Sequence, residues 1–220
     1  NWVNKQDGCT IVSPTIHTST YAALREWVLH HWAYCYTPKP GDVLVDLGTG
    51  IGEEAVIFSP MIGASGRMYA VEAQPSTFAC LQETIRRSGL QNVTAVHCAV
   101  ADMDGEAEIS DGPVHLANSI ITGGSIKVPQ RSLDSLVREW RQDRIDFLRL
   151  NIEGAERLAI QGMTDSIHKV RNLAISCHDF CGFPSKADVL GFLNDSGFKV
   201  TTRDPEADAP WIGDYLYARR

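Results

Sequence analysis

Hydrophobic positions in this chain group into short apolar runs, which are bounded by turn residues and separated by longer segments with helix signals. The run at 43–47 is typical of a strand that is covered on both faces of a parallel sheet. From residue 41 onward, such runs alternate with predicted helices. This alternation predicts an α/β fold, in which a parallel sheet carries helices on both faces.

The pattern predicts seven strands for the main sheet, at 43–47, 67–72, 93–98, 145–152, 172–177, 198–202 and 211–218. Helices are predicted at about 52–61, 75–88, 133–140 and 186–195, with one more beginning near 154. Residues 106–110 are predicted to form a short extra strand, and residues 111–126 a loop. No helix separates the last two strands, so we expect the mostly parallel seven-stranded sheet to end in an antiparallel hairpin.

The first forty residues lie outside this alternation. Residues 21–36 are predicted to form one helix, which Pro38 and Pro40 end. The helix is rich in aromatic residues, namely Tyr21, Trp27, Trp32, Tyr34 and Tyr36. We therefore divide the chain into an N-terminal helical cap or lid at 1–40 and one α/β domain at 41–220. The alternative is that this helix only packs across an edge of the sheet.

A glycine-rich turn follows the strand at 43–47. Gly48, Gly50 and Gly52 lack a β-carbon, so their backbone N–H groups can approach a ligand closely. The helix predicted after Gly52 presents free N–H groups and the positive end of its dipole to the same ligand. Strand, turn and helix together predict a nucleotide-type binding site.

Residues around the turn indicate which nucleotide binds there. The spacing G-x-G-x-G from Gly48 departs from the dinucleotide pattern G-x-G-x-x-G, whose third glycine would stand at Glu53. Asp46, just before the turn, suits the ammonium group of an amino acid better than a pyrophosphate. Glu72 ends the next strand, where a carboxylate accepts hydrogen bonds from ribose hydroxyls. These features predict S-adenosylmethionine rather than a dinucleotide.

Ligands of an open α/β sheet bind outside the carboxyl ends of its strands, which adds further residues to the predicted site. The third strand leads to Ala99 and Val100, which are expected to flank an adenine, and the fourth leads to Asn151. The predicted cofactor-binding residues are Asp46, Gly48, Thr49, Gly50, Gly52, Glu72, Ala73, Ala99, Val100 and Asn151.

Composition restricts the partners of the chain. Its 220 residues suffice for one domain with a full core, and its formal net charge of −7 argues against a nucleic-acid substrate. No apolar run approaches the ~20 residues that span a bilayer. We expect a small-molecule substrate, no nucleic acid and no membrane span. The aromatic N-terminal helix is a candidate surface for a homodimer.

The six cysteines are scattered and form no C-x-x-C pair, which predicts reduced thiols in a cytoplasmic protein. The stretch at 177–181 contains two cysteines and a histidine, but a second pair of soft ligands is missing, so we predict no structural zinc. The chain opens on Asn1 without a methionine, and we expect it to be trimmed or excised from a longer protein.

Several motifs resemble one known family in their order and spacing. The first is D-L-G-T-G-I-G-E-E at 46–54, followed by V-E-A-Q-P at 71–75 and Phe78. Later come S-L-D at 132–134 and D-F-L-R-L-N-I-E-G-A-E at 146–156. Over about residues 41–178 the chain resembles the FkbM-type family of S-adenosylmethionine-dependent methyltransferases.

The resemblance implies a single-domain, Rossmann-like class I methyltransferase. It further implies O-methylation of a hydroxyl on a sugar, glycolipid or glycosylated natural product, and thus a small-molecule or carbohydrate substrate. The chain departs from the family pattern in two places. Thr49 and Gly50 stand where Ala-Asn is common, and Asn151 stands where Asp is common. A base or metal role of that Asp therefore does not carry over to this chain.

Methylation of a sugar hydroxyl needs a group that removes its proton, because the hydroxyl is a poor nucleophile near neutral pH. His178, after the fifth strand, is our first candidate because histidine titrates near neutrality. Glu153, after the fourth strand, is the second, and its alternative roles are to orient the substrate or bind the cofactor ammonium. Glu153, His178 and Asp179 also have the chemistry of metal ligands, but no metal is predicted. His115 lies in the loop that is expected to cover the acceptor.

Other functions stay open at this point. A non-catalytic cofactor-binding module is one, because Asn151 replaces an acid. A nicotinamide-dependent oxidoreductase is another, although Asp46 and the glycine spacing disfavour it. Methylation of nitrogen or of nucleic acid is disfavoured by the net charge and by the lack of an Asp/Asn-Pro-Pro-Tyr/Phe motif.

Overall fold

A computed structural model of the chain describes residues 1–110, 112, 118–178, 182 and 184–220. The described residues form twelve strands: β1 (Trp2–Gln6), β2 (Cys9–Ser13), β3 (Val43–Leu47), β4 (Arg67–Glu72), β5 (Val93–His97), β6 (Ala99–Val100), β7 (Gly105–Ile109), β8 (Ile126–Arg131), β9 (Ile145–Leu150), β10 (Val170–Ser176), β11 (Lys199–Thr202) and β12 (Tyr215–Arg219). They also form six α-helices: α1 (Tyr21–His31), α2 (Glu53–Ile62), α3 (Pro75–Ser88), α4 (Leu133–Glu139), α5 (Glu156–Gln161) and α6 (Lys186–Asp195). Two short 3-10 helices lie at Ser166–Lys169 and Pro210–Asp214.

Seven strands make the main sheet, in the spatial order β11-β12-β10-β9-β3-β4-β5. The five strands from β10 to β5 run parallel, whereas β12 runs antiparallel to both β10 and β11. This arrangement confirms the predicted sheet, with its antiparallel ending. Because the parallel strands point the same way, the carboxyl ends of β3, β4, β9 and β10 meet at one edge.

The sheet has a hydrophobic core on each face, because successive side chains of a strand point in opposite directions. On β3, Leu44 packs with α1, α2 and α3, while its neighbour Val45 packs with the core that includes α4, α5 and α6. On β9, Phe147 and Leu148 divide in the same way. All six residues of β9 are buried, so this central strand positions whatever follows it.

Helix α3 shows why the sequence predicted the first and last residues of some elements correctly. Gln74 accepts a hydrogen bond from the Thr77 backbone N–H at 2.8 Å, and Pro75 occupies the first helical turn. Gly89 adopts a left-handed conformation with φ of 64° and ends the helix. The predicted helix at 75–88 has the observed bounds.

Elements outside the alternation differ more from the prediction. Residues 1–20 contain the hairpin β1–β2, which was not predicted, and α1 ends at His31 rather than at residue 36. The described residues beside the main sheet also form a small sheet in the order β6-β8-β7, of which only β7 was predicted. β2 is buried along its whole length, because its neighbour in space is α3, a contact that local sequence does not encode.

The hairpin is fastened to α3 by hydrogen bonds. The Val12 N–H donates to Thr84 Oγ1 at 2.9 Å, and the Thr10 N–H donates to Ser88 Oγ at 2.8 Å. Ser88 Oγ in turn donates to the Thr10 carbonyl at 2.9 Å. The N-terminal segment therefore belongs to the packed body of the protein.

Candidate active site

The glycine turn after β3 combines two different needs for glycine. A β-carbon on Gly48, whose φ is 80°, would lie 1.9 Å from the Asn151 carbonyl oxygen, so glycine lets the ends of β3 and β9 approach. A β-carbon on Gly52 would lie 2.9 Å from Leu81 on α3, so this glycine serves helix packing. Gly50, with φ of 63°, has open space on that side and leaves room for a ligand.

A cavity of about 620 Å³ lies over this turn, and we name it the glycine-turn cavity. Seven of the predicted cofactor-binding residues line it: Gly48, Gly50, Glu72, Ala73, Ala99, Val100 and Asn151. Its other lining residues are Val71, Cys98, Ile109, Asn118, Ser119, Ile120, Ile152, Glu153 and Ala155. The lining is mostly apolar with a few polar groups, as expected of a pocket for a nucleoside.

Glu72 lies at the wall of the glycine-turn cavity, at the end of β4. Its Oε2 accepts from the Gly50 N–H at 3.0 Å, and its Oε1 accepts from the Gln74 N–H at 2.8 Å. Burial raises the pKa of Glu72, and these backbone N–H groups act in the opposite direction. They fix the carboxylate in place, which suits it for hydrogen bonds from two ribose hydroxyls.

Asp46 has a partner that the sequence did not predict. It is buried beneath the turn, and its Oδ1 accepts from Arg149 Nη1 at 2.8 Å. Arg149 Nη2 also lies 3.0 Å from Glu54 Oε1, so one buried guanidinium joins β3, β9 and α2. Burial works to lower the pKa of Arg149, but the charges of Asp46 and Glu54 outweigh it and raise that pKa.

Two buried oxygens beside the turn lack a hydrogen-bond partner among the described residues. They are Asp46 Oδ2 and Asn151 Oδ1. Unsatisfied buried acceptors are costly and call for a donor. The ammonium of S-adenosylmethionine is such a donor for Asn151, which lines the glycine-turn cavity. Together with the open Gly50 and the placement of Glu72, this residue makes the site fit the predicted cofactor.

A second cavity, of about 1310 Å³, opens next to the first, and we name it the aromatic cavity. Four aromatic residues line it: Trp27, Trp32, Trp211 and Tyr215. Its other lining residues are Ser19, Ala23, Leu24, Gly48, Thr49, Gly50, Glu53, Glu54, Arg149, Asn151, Glu153 and His178. Gly48, Gly50, Asn151 and Glu153 line both cavities, so the two cavities are neighbours that share these residues.

Glu153 lines both cavities. Its backbone conformation is uncommon. Its φ is 50°, a left-handed value that is strained for a residue with a side chain. Ser119 Oγ donates to the Glu153 carbonyl at 2.6 Å and holds it there. Burial, followed by the charge of Glu156, raises the pKa of Glu153 to about 7. A carboxyl group with this pKa can exchange a proton near neutral pH.

His178 lines only the aromatic cavity, and both of its ring nitrogens face polar neighbours. Nε2 lies 2.5 Å from Ser176 Oγ, and Nδ1 lies 3.8 Å from Asp214 Oδ2. Burial lowers the pKa of His178, and the charge of Asp214 opposes this effect. The imidazole is therefore neutral at neutral pH.

Other predicted positions have different outcomes. Glu156 is buried. Its Oε1 accepts from the Gly154 N–H at 3.3 Å and its Oε2 accepts from Ser185 Oγ at 3.2 Å, within the core. Thr49 lines the aromatic cavity, while Asp46 and Gly52 line neither cavity. His115 and Asp179 lie outside the described residues.

The sequence missed functional residues that come from distant parts of the chain. Arg149 interrupts an apolar run, which was itself the available signal for a special role. Trp211 and Tyr215 were assigned only to a final strand, and Ser119 to a loop. Nothing local in the sequence indicated that the residues before β12 and the end of α1 would line one cavity.

The described residues show neither a metal-ligand cluster nor a membrane-spanning helix. No group of three or more His, Cys, Asp or Glu side chains there is arranged to hold a metal ion. No described helix has both the length and the apolar character needed to cross a bilayer.

Known proteins are similar to this chain in sequence or in fold. Hexuronic acid methyltransferase AglP of Haloferax volcanii is 26% identical over 181 residues, which are 81% of this chain and 71% of AglP. The structure of methyltransferase FkbM from Methylobacillus flagellatus superposes with a TM-score of 0.62 at 19% identity, over 84% of this chain and 45% of that one. The structure of fibrillarin from Aeropyrum pernix, with natively bound S-adenosylmethionine, superposes with a TM-score of 0.50 at 18% identity. The superposition covers 84% of this chain and 70% of fibrillarin.

The chain thus spans less than half of the solved FkbM protein. The model of the methyltransferase FkbM domain matches residues 46–200, which run from the end of β3 to β11 and include the glycine turn, Glu72 and Glu153. The chain therefore belongs to the FkbM family of methyltransferases, whose methyl donor is S-adenosylmethionine.

Proposed function

We propose that this chain methylates a hydroxyl group of a sugar, glycolipid or glycosylated natural product. The observation that carries the proposal is the aromatic cavity, which shares Glu153 and three other lining residues with the glycine-turn cavity. Flat aromatic rings suit the apolar faces of sugar rings, while polar groups around them bind hydroxyls. The similarity to a hexuronic acid methyltransferase agrees with a carbohydrate acceptor.

The glycine-turn cavity holds the cofactor in this proposal. Glu72 binds the ribose, Ala99 and Val100 flank the adenine, and Asn151 faces the amino-acid end. When bound, S-adenosylmethionine supplies a methyl group that is already activated for transfer. The protein must then hold an acceptor oxygen in line and remove its proton.

We assign proton removal to Glu153 and orientation of the acceptor to His178. Glu153 lines both cavities, and its carboxyl group has a pKa of about 7, so it is available as a base at neutral pH. His178 lines the aromatic cavity alone, and Ser176 occupies one of its ring nitrogens. This order reverses the sequence-based one, in which His178 came first.

The experiment is a methyl-transfer assay with isotopically labelled S-adenosylmethionine and a panel of mono- and oligosaccharide glycosides. It is preceded by calorimetric titration with S-adenosylhomocysteine, with NAD as the control. Binding of S-adenosylhomocysteine together with transfer to a sugar oxygen supports the proposal. Binding without transfer to any acceptor would favour the non-catalytic module that Asn151 keeps open.

Glu72→Ala tests the placement of the cofactor. Loss of its charged hydrogen bonds should weaken S-adenosylhomocysteine binding by ~1–3 kcal/mol, measured by the same titration. Glu83→Gln, at an exposed ion pair on α3, serves as the control and should bind as the wild type does. Unchanged affinity of the Glu72 variant would remove this residue from the ribose site.

A further inference from the structure

The charge of the aromatic cavity restricts its acceptor further. Three carboxylates line the cavity, at Glu53, Glu54 and Glu153. The cationic or titratable nitrogen groups that line it among the described residues are those of Arg149 and His178. An anionic acceptor would have to bind through one of these two groups, because a buried charge needs a partner.

Arg149 is already engaged. Its two terminal nitrogens contact Asp46 Oδ1 at 2.8 Å and Glu54 Oε1 at 3.0 Å, and its side chain is only 4% exposed. The guanidinium also stacks at 4.1 Å from the centre of the Trp32 ring, which covers one face. Two carboxylates and an aromatic ring thus surround this guanidinium and occupy both terminal nitrogens, while its Nε is buried without a hydrogen-bond partner among the described residues.

The histidines near the cavity do not supply a free cation in place of Arg149. His178 is neutral at neutral pH because burial lowers its pKa. His17 Nε2 lies 2.6 Å from Glu53 Oε1, but Asn4 Nδ2 lies 3.1 Å from His17 Nδ1. Both ring nitrogens of His17 are thus already occupied, by Glu53 and by Asn4.

The residues outside the described part of the chain include no lysine or arginine. We infer that the acceptor is a carbohydrate without a carboxylate, and that this cavity discriminates against uronic acids. The inference rests on the proposed function and narrows it. It also separates this chain from its relative AglP, a hexuronic acid methyltransferase.

Like-charge repulsion is the physical basis of this selectivity. A uronate in the aromatic cavity would lie among the acidic side chains of Glu53, Glu54 and Glu153 and would exchange its hydration for a site whose own guanidinium is already paired with carboxylates. A neutral ring of the same shape escapes that penalty and keeps the aromatic contacts. The difference between two such acceptors therefore measures the charge effect alone.

The test compares matched pairs of acceptors, such as methyl glucoside with methyl glucuronide, and the galacto and manno pairs. These differ only in a CH₂OH or a carboxylate at C6. We expect the neutral member of a pair to have a kcat/KM at least about tenfold higher. A higher kcat/KM for the uronide would overturn the inference while leaving sugar methylation in place. No transfer to any member, with S-adenosylhomocysteine binding intact, would overturn the proposed function and the inference with it.

Glu54→Gln gives an independent arm of the test. It removes one carboxylate and frees one nitrogen of Arg149, so the uronide-to-neutral ratio of kcat/KM should rise about tenfold. Glu83→Gln is the matched control, because its exposed carboxylate lies on α3 outside the cavity lining, and it should leave the ratio unchanged. An unchanged ratio in Glu54→Gln, in a variant with the wild-type Tm, would count against the role given to Arg149.

Discussion

At the scale of single residues, Glu153 combines features that stability alone would not select. Its backbone is left-handed, its carboxyl group is largely buried, and the nearby charge of Glu156 repels it. Each of these features destabilises the folded state. Glu153 also lines both cavities, which is the placement that the proposed proton acceptor requires.

Replacing the carboxyl group should therefore change activity and stability in opposite directions. Glu153→Gln should lower turnover about 10²–10⁴-fold. The folded-state pKa of Glu153 is raised, so its contribution to stability is complete at pH values below the unfolded pKa and is lost as pH rises through about 7. The amide avoids that loss, so the Tm of the variant should exceed that of the wild type at pH 8 and match it near pH 4.

Activity assays and thermal melts of the same preparations measure both effects. Glu139→Gln, on the exposed end of α4, is the control and should change neither quantity. Full turnover in Glu153→Gln would show that another group removes the proton.

The pH dependence of turnover follows from the same residue. Glu153 accepts a proton only when ionised, so kcat/KM for the sugar should rise with pH through an apparent pKa near 7. Burial raises the pKa of Glu54 to about 7 as well, against the opposing charge of Arg149. The pH profile of kcat/KM should therefore also be recorded for Glu54→Gln. If kcat/KM still rises with pH in that variant, the rise is due to Glu153. A flat profile between pH 6 and 8 would contradict the assignment.

At the scale of elements, the aromatic cavity is assembled from the two ends of the chain. Helix α1 contributes Trp27, and Trp32 follows directly as its C-cap. The 3-10 helix before β12 contributes Trp211 from the opposite end of the sequence. Trp32 and Tyr215 stack with ring centres 4.7 Å apart, and thereby join the two elements. Helix α1 and the 3-10 helix Pro210–Asp214 thus bring aromatic side chains to the aromatic cavity, which the parallel strands of the sheet do not supply.

Removing one aromatic ring should affect acceptor binding without affecting cofactor binding. Trp211 is 41% exposed and is available to stack on a sugar. Trp211→Ala should raise the KM for the acceptor about tenfold or more, at unchanged S-adenosylhomocysteine affinity. Trp2→Ala is the matched control, because Trp2 is 56% exposed on β1 and lines none of the cavities described here. A loss of cofactor affinity in Trp211→Ala would place this residue at the other cavity.

At the scale of the whole molecule, the parts that could be predicted are those whose signals are local. The α3 helix carries its own start and stop signals, and the β3 strand carries its glycine turn. Arg149 behaves differently, because its partner Asp46 is 103 residues away and no local pattern announces their pairing. Burial of β2 likewise depends on α3, so its hydrophobic run was not recognised as a strand. The lining of the glycine-turn cavity comes mostly from such local patterns and was therefore largely predicted, whereas the aromatic lining of the aromatic cavity largely was not.

The attachment of the N-terminal hairpin is a property of the whole fold, and it can be tested at one hydrogen bond. Thr84→Val keeps the shape of the side chain but leaves the Val12 N–H without its acceptor at a buried position. The free energy of unfolding should fall by about 1–3 kcal/mol in denaturant titrations. Thr202→Val, on the exposed face of β11, should change it by less than about 0.5 kcal/mol. Equal effects of the two variants would mean that the hairpin adds little to stability.

The position of the aromatic residues has a consequence for comparing relatives. The family match covers residues 46–200, which contain Glu72, Asn151 and Glu153, whereas Trp27, Trp32, Trp211 and Tyr215 all lie outside it. The aromatic lining of the proposed acceptor cavity thus lies outside the matched segment, while its acidic lining, at Glu53, Glu54 and Glu153, lies inside it. A substrate assignment transferred on the matched segment alone would leave these aromatic residues uncompared.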